Sequence, residues 1–436
     1  MKELLVSLGC LGLGCGAAGL AWGQNLSIIS NDQKKVMLSG YGDMQASYLD
    51  YGQDRNLSHG AQQDSRVIFD ATRFTAKIEG FFLPHDIEFE AEVEFEHGGT
   101  GTAMDIEYEE SGEYEHEIAK GGEVQLEEFY LKKLLNEHYS LAAGRILVGV
   151  GLLSAYSLPT DYLGVQRSET ESVLLPGVWT EMGLGLDGDY EDFQFKLQVV
   201  NGLDSSGFSS HGWVATGHQG KFEQVSATDP AAVVRLDLKY FPGYVLGVSA
   251  YYGDTSANRP IAADMRRDCN RQAPNEAAPC GYVKAPVTIA DVHVVAHLEK
   301  LRGSAAGIWG RLENASLVTQ RNGILNKPSL GVVGTPVGSE ALGAWSEIGY
   351  DVGAAVGTAR GAQLTPFARY EYYDTMHKTA PGIVKNPRFE RRVVSLGLSY
   401  VVDGALFAKL DFGRRSYGSA DFRPENAVNI GAGFIY

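Results

Sequence analysis

Cysteine is scarce in this chain of 436 residues: there are four, and Cys10 and Cys15 fall in the first apolar segment. The other two, Cys269 and Cys280, bracket the polar stretch "CNRQAPNEAAPC". In an oxidising compartment that arrangement reads as a local disulfide stapling one loop, with two free thiols as the alternative. No further cysteine and no paired histidine spacing supports a zinc site, so neither metal nor cofactor is expected. Catalytic signatures are missing as well. There is no G-x-S-x-G, no H-E-x-x-H and no P-loop, and the chain is not expected to be an enzyme. A basic surplus is also absent: 37 Lys and Arg against 54 Asp and Glu leave a net charge of −17, the wrong sign for a nucleic-acid partner. After residue 23 no apolar run approaches the roughly 20 residues of a membrane helix. That does not exclude a membrane, because strands of about ten alternating residues cross one when they close into a barrel.

What the chain does contain suits such strands. Glycine reaches 53, and tyrosine and phenylalanine reach 22 and 18, while proline stays at 15. Residues 1–23 resemble a signal peptide: Lys2 precedes an apolar Leu4–Leu20, and Ala21 and Gly23 are small residues at the −3 and −1 positions before Gln24. Cleavage near Gly23–Gln24 would export the mature chain, leaving 24–35 as a short N-terminal periplasmic segment ahead of a barrel over 36–436.

The clearest strand is "DIEFEAEVEFEHGG", residues 86–99. Ile87, Phe89, Ala91, Val93 and Phe95 alternate with Glu88, Glu90, Glu92, Glu94 and Glu96, so period two sorts them onto opposite faces. Similar patterning predicts strands near 36–50, 66–80, 86–97, 122–133, 138–149, 178–188, 191–201, 231–241, 244–253, 286–299, 303–316, 339–351, 363–374, 390–402, 405–416 and 425–436. Their connections alternate between short turns and long polar loops. The expected fold is therefore all-β, a transmembrane antiparallel barrel of about sixteen strands with short periplasmic turns and long extracellular loops.

With lipid outside, charge belongs inside. The alternation then places Glu88, Glu90, Glu92, Glu94 and Glu96 on the lumen wall, followed by Glu123 and Glu127 opposite Val124, Leu126 and Tyr130. Glu128 breaks the rule, and either a loop-proximal rim or a subunit contact would account for it. The same reasoning turns Arg73, Lys77 and Arg145 inward, then Arg235, Lys239 and Arg311, and finally Arg369, Lys409 and Arg415. Three readings of the glutamate strip stand: a solvated wall paired to Arg73 and Lys77, a cation-favouring selectivity element, or a divalent-ion site. Asp291, His293, His297 and Glu299 share a face, read as lumen lining.

Several motifs in order resemble the phosphate-selective porin O and P family and its porin superfamily. They are "GEVQLEEFYLKK", "HYSLAAGRILVGVG", "YLGVQRSETESVLLPGVWTEMGLGLDG" and, later, "PFARYEYY". The last strand, "AVNIGAGFIY", resembles the assembly signal of bacterial outer-membrane barrels, with Phe434 and the terminal Tyr436 as its aromatic residues. The resemblance implies an outer-membrane location and a water-filled homotrimer of sixteen-stranded channels with the third loop folded inward. It also implies outer-membrane lipid, periplasmic chaperones and the barrel assembly machinery as partners. That third loop is 150–177, and Asp161, Arg167, Glu169 and Glu171 are its candidates for the narrowest point. The expected function is passive diffusion of small hydrophilic solutes and ions with a mild cation preference, since phosphate selectivity would want Lys and Arg where this chain has Glu. A barrel with an occluded lumen, used as a binding or adhesion surface, is the competing expectation.

Overall fold

Alternation over most of the chain leaves the backbone one economical arrangement, strands whose two faces meet different surroundings. The computed structural model describes residues 26–52, 61–99, 123–219, 225, 227–255, 284–324 and 334–436. A short strand β1 (Leu26–Ser30) precedes sixteen others. These are β2 (Lys34–Tyr51), β3 (Gln63–Phe82), β4 (Ile87–Glu96), β5 (Glu123–Leu134), β6 (Tyr139–Leu147), β7 (Thr180–Asp189), β8 (Phe193–Asn201) and β9 (Pro230–Leu238). They continue with β10 (Tyr244–Asp254), β11 (Pro286–Leu298), β12 (Leu301–Leu312), β13 (Glu340–Tyr350), β14 (Ala362–Lys378), β15 (Glu390–Val402), β16 (Leu406–Tyr417) and β17 (Glu425–Ile435).

Each strand from β2 onward pairs antiparallel with the next, and β17 returns to β2 with Ala427 opposite Leu49 and Ile435 opposite Tyr41. The result is a closed sixteen-stranded antiparallel barrel, which leaves no open sheet edge. The terminal Tyr436 completes the seam by exchanging backbone hydrogen bonds with Gly40. Strand β1 lies on β2 at Lys35–Leu38, beyond the end of β17, so the 24–35 segment contains a strand where the pattern suggested none. Tight turns join the strands at one end. Between β15 and β16, Asp403 and Gly404 both take positive φ, 49° and 68°, matching the twist of the flanking strands in a tight hairpin turn. Among the described residues there are three short α-helices, α1 (Glu169–Leu174), α2 (Ala315–Ile324) and α3 (Gly353–Val356). Among the described residues no helix is long and apolar enough to cross a membrane, which says nothing of strands.

Burial is inverted relative to a water-soluble sandwich. Phe69, Phe129, Leu131, Leu184, Val199, Leu246, Leu396 and Ile430 are exposed on the outer face, with Tyr244 and Tyr252 exposed at opposite ends of β10. Charged residues such as Glu88, Lys132, Arg235, Arg369 and Lys409 are buried. An apolar wall around a charged interior is what a lipid-facing barrel requires.

A second apolar layer lies inside. Leu203, Phe208, Trp213 and Val214 from the β8–β9 connection pack with Leu174, Leu175, Val318 and Ala341. The Trp213 ring covers Gly310, where a Cβ would stand 2.0 Å from the indole, and its Nε1 donates to the Gly338 carbonyl at 3.1 Å. Loops thus fill part of the interior at the long-loop end.

Candidate functional site

The acidic strip on β4 is held by donors from the two flanking strands. Arg73 on β3 lies 2.9 Å from Glu96 and 3.5 Å from Glu94, and Lys77 lies 2.7 Å from Glu90. From β5, Lys132 stands 3.7 Å from Glu88, and the Tyr130 hydroxyl donates to Glu90 at 2.7 Å. Lys132 and Tyr130 therefore belong to the inner wall. Tyr130 corrects the outward placement, and Lys132 was not anticipated.

The cause is a bulge. Register along β4 and β5 runs from Phe129 opposite Ala91 to Leu126 opposite Val93, so Glu127 and Glu128 together face Glu92. One extra residue shifts the phase of alternation. Phe129 and Leu131 turn outward, Tyr130 and Lys132 inward, and Glu127 and Glu128 are both buried. Neither a rim nor a subunit contact is needed for Glu128. Glu123 pairs in register with Glu96, and its side chain lies outside the described structure.

A second cause of phase change sits in β6. Gly144 takes φ 137°, and a Cβ there would meet the Phe129 carbonyl at 2.4 Å. Beside it Arg145 is buried, donating to Thr180 at 2.9 Å, and Thr180 in turn donates to Glu127 at 3.2 Å.

Loop 150–177 is pinned to the inner faces of β9 to β17. A loop inside a barrel brings unpaired carbonyls and amides, and the wall charges satisfy them. Lys409 donates to the carbonyls of Pro159, Tyr162 at 2.7 Å and Gly164 at 2.9 Å. Arg369 donates to Gln166 at 2.9 Å, Arg302 to Thr160 at 2.6 Å and Arg235 to Gly151 at 2.6 Å. Carboxylates take the amides: Glu347 accepts from Leu163 at 2.7 Å, Asp411 from Val165 at 2.7 Å and Glu371 from Thr170 at 2.8 Å. Arg235, Arg369 and Lys409 thus face inward beneath the loop as its anchors. This corrects their expected place on an open wall, since each is at most 5% exposed.

The four loop candidates divide by partner. Glu169 pairs with Arg415 and stands 3.8 Å from Arg391, while the Tyr373 hydroxyl donates to it. Asp161 accepts the Leu158 amide at 2.9 Å, and burial pushes its carboxyl up to about 6. Glu171 accepts the Leu153 amide at 2.7 Å and the Trp345 indole at 3.2 Å, and burial pushes it up to about 7. Arg167 reaches β2, donating to the Tyr41 hydroxyl at 3.2 Å, while Gln166 donates to Gln45 at 3.2 Å. Tyr41, Thr75 and Glu94 lie side by side in register on β2, β3 and β4. The loop therefore closes onto β2 two strands from the acidic strip, and Arg167 is its one candidate that meets this wall.

Other expected positions differ. Arg311 points outward, with Trp309, because Ala306, Ile308, Gly310 and Leu312 on β12 turn inward under packed loops. An apolar face marks lipid only where the opposite face is wet, and here it is dry. Lys239 lies just past β9 at the short-turn end, 3.4 Å from Asp189. His293 sits between Asp291 and Asp237, 2.8 Å from each, with Arg235 at 2.9 Å, and this cluster braces the loop root through Ser249 and Gly151. Glu299 falls in the turn after β11. Phe434 is exposed outward and Tyr436 donates to the Thr75 carbonyl at 3.2 Å. Cys269, Cys280 and residues 1–23 lie outside the described residues.

No family model matches the chain. An uncharacterized protein of Aquifex aeolicus is 22% identical over 404 residues, covering 92% of this chain and 80% of that relative. Among solved structures, OmpF of Salmonella typhi, in complex with daunomycin, is 13% identical with a TM-score of 0.54, covering 94% of this chain and 99% of its own. The anion-selective porin of Comamonas acidovorans gives 10% and 0.52 over 93% and 100%, and the outer membrane channel DcaP of Acinetobacter baumannii 10% and 0.51 over 94% and 99%. The fold is shared with outer-membrane porins. At these identities the likeness extends to the barrel and stops there.

Proposed function

We propose that this chain is an outer-membrane diffusion channel for small hydrophilic solutes and ions, narrowed by loop 150–177 and biased toward cations by the β4 strip. The observation that carries the reading is the loop itself. Its backbone is tied along the inner wall from β9 to β16 by Arg235, Arg302, Arg369 and Lys409, and Arg167 carries it on to Tyr41 of β2, beside the acidic strip. Solutes then pass between an arginine-bearing loop and a carboxylate-rich wall. Selection is by size and by charge, with no chemical step. The porin-like fold supports a homotrimer placed by an export signal in residues 1–23 and assembled through the aromatic C-terminus.

Trp213 and its neighbours, packed inside the long-loop end, favour a second reading in which the lumen is occluded and the loops form a binding or adhesion surface. Electrical measurement separates charge selection from its absence. Under a KCl gradient across a planar bilayer, the reversal potential is expected to favour K⁺. Changing Glu88, Glu90, Glu92 and Glu94 together to Gln removes four carboxylates from the wall, leaving Arg73 with Glu96 and Lys77 with Glu79, and should move that potential toward Cl⁻. Anion preference in the unaltered protein would sink the cation assignment.

A further inference from the structure

The bulge in β5 concentrates charge at one point on the inner wall. Glu90, Glu92 and Glu128 each offer a carboxylate oxygen, and these oxygens lie within 4.8 Å of one another. Lys77 and the Tyr130 hydroxyl both attend Glu90, at 2.7 Å each, and Lys77 is shared with Glu79 at 3.4 Å. Glu128 is only 9% exposed, and its Oε1 has no hydrogen-bond donor. Lys77 faces Glu128 and Glu92 as well as Glu90, so one ammonium stands against three carboxylates, and that surplus of buried negative charge needs a further positive charge or a proton.

We propose that Glu90, Glu92 and Glu128 bind Ca²⁺ on the lumen wall, with water completing the shell. Carboxylate oxygens are the ligands a hard cation takes, and Ca²⁺ accepts irregular geometry where Mg²⁺ demands an octahedron. The bulge supplies the third carboxylate, because a regular pair of strands would set one residue, not two, against Glu92. Lys77 beside Glu90 weakens the site, so the dissociation constant belongs with extracellular calcium modules, about 10⁻⁴–10⁻³ M. The site depends on these side chains facing inward and not on which ions permeate. A reversal potential without cation preference therefore leaves it standing.

Terbium(III) in place of Ca²⁺ reports the site directly, since tyrosine sensitises its emission and Tyr130 touches Glu90. The folded, detergent-solubilised protein is expected to give saturable terbium emission that Ca²⁺ displaces. Glu128→Gln and Glu92→Gln should each weaken terbium binding at least about tenfold, roughly 1.4 kcal/mol. Tyr130→Phe should dim the emission while leaving the Ca²⁺-induced rise in melting temperature in place. Heat-modifiable gel mobility identifies the variants that fold, and Glu92→Gln, at a half-buried position, decides the matter if Glu128→Gln does not. Equal terbium affinity in the native protein and the folded variants would overturn the proposal and assign the cluster to a proton shared between Glu90 and Glu128.

Discussion

Glu171 illustrates how a residue suited to a pore mouth becomes a fastening. Its carboxyl takes the Leu153 amide and the Trp345 indole, which satisfies two buried donors from two elements. Burial raises its pKa from the ordinary 4.5 to about 7, and Asp161 rises from 3.8 to about 6 for the same reason. A carboxyl that holds its proton more tightly folded than unfolded loses stability as pH rises between the two values. The docked loop is therefore expected to be most stable near pH 4 to 5, to weaken up to about pH 7 and to stay level above that. Melting temperatures of the folded protein from pH 4.5 to 8 test this. The Glu171→Gln variant cannot ionise, so its melting temperature should fall less steeply with pH over this range. Parallel slopes would remove Glu171 from the account.

At the scale of elements, the loop and its opposing strands act as a unit joined over long sequence distances. Lys409 and Gly164 are 245 residues apart, yet the ammonium holds three loop carbonyls. Lys409→Met removes every one of those donors, and a buried carbonyl left unpaired costs about 1–3 kcal/mol. Single-channel recordings of this variant are expected to show larger and noisier current steps as the loop detaches; unaltered steps would contradict the loop as constriction. Such anchoring is invisible in a sequence, which shows that Lys409 shares a face with Asp411 but not that a distant carbonyl waits beneath it. The β4 strip was readable because its alternation is unbroken over ten residues. Tyr130 and Lys132 were not, because a bulge is a property of a strand pair: the phase of β5 changes at Glu127–Glu128 only when Glu92 lies opposite. Arg311 was misplaced for a third reason. Alternation separates two faces, but the apolar one on β12 turns inward because Trp213 and its loop keep that side dry.

Over the whole molecule, one inversion organises everything else. Sixteen strands expose an apolar belt and close on themselves through β2 and β17, while ion pairs and loop anchors occupy the interior. Strand positions were legible to within about four residues because each strand had to alternate to satisfy lipid on one side. The inserted loops obey no such periodicity, and their packing decides how much of the lumen stays open. Conductance of the purified, folded protein in a planar bilayer tests the proposed channel most directly. Discrete, ohmic current steps on insertion are the predicted result. Absence of current from protein whose heat-modifiable mobility shows it folded would contradict the channel and leave a barrel closed by its own loops.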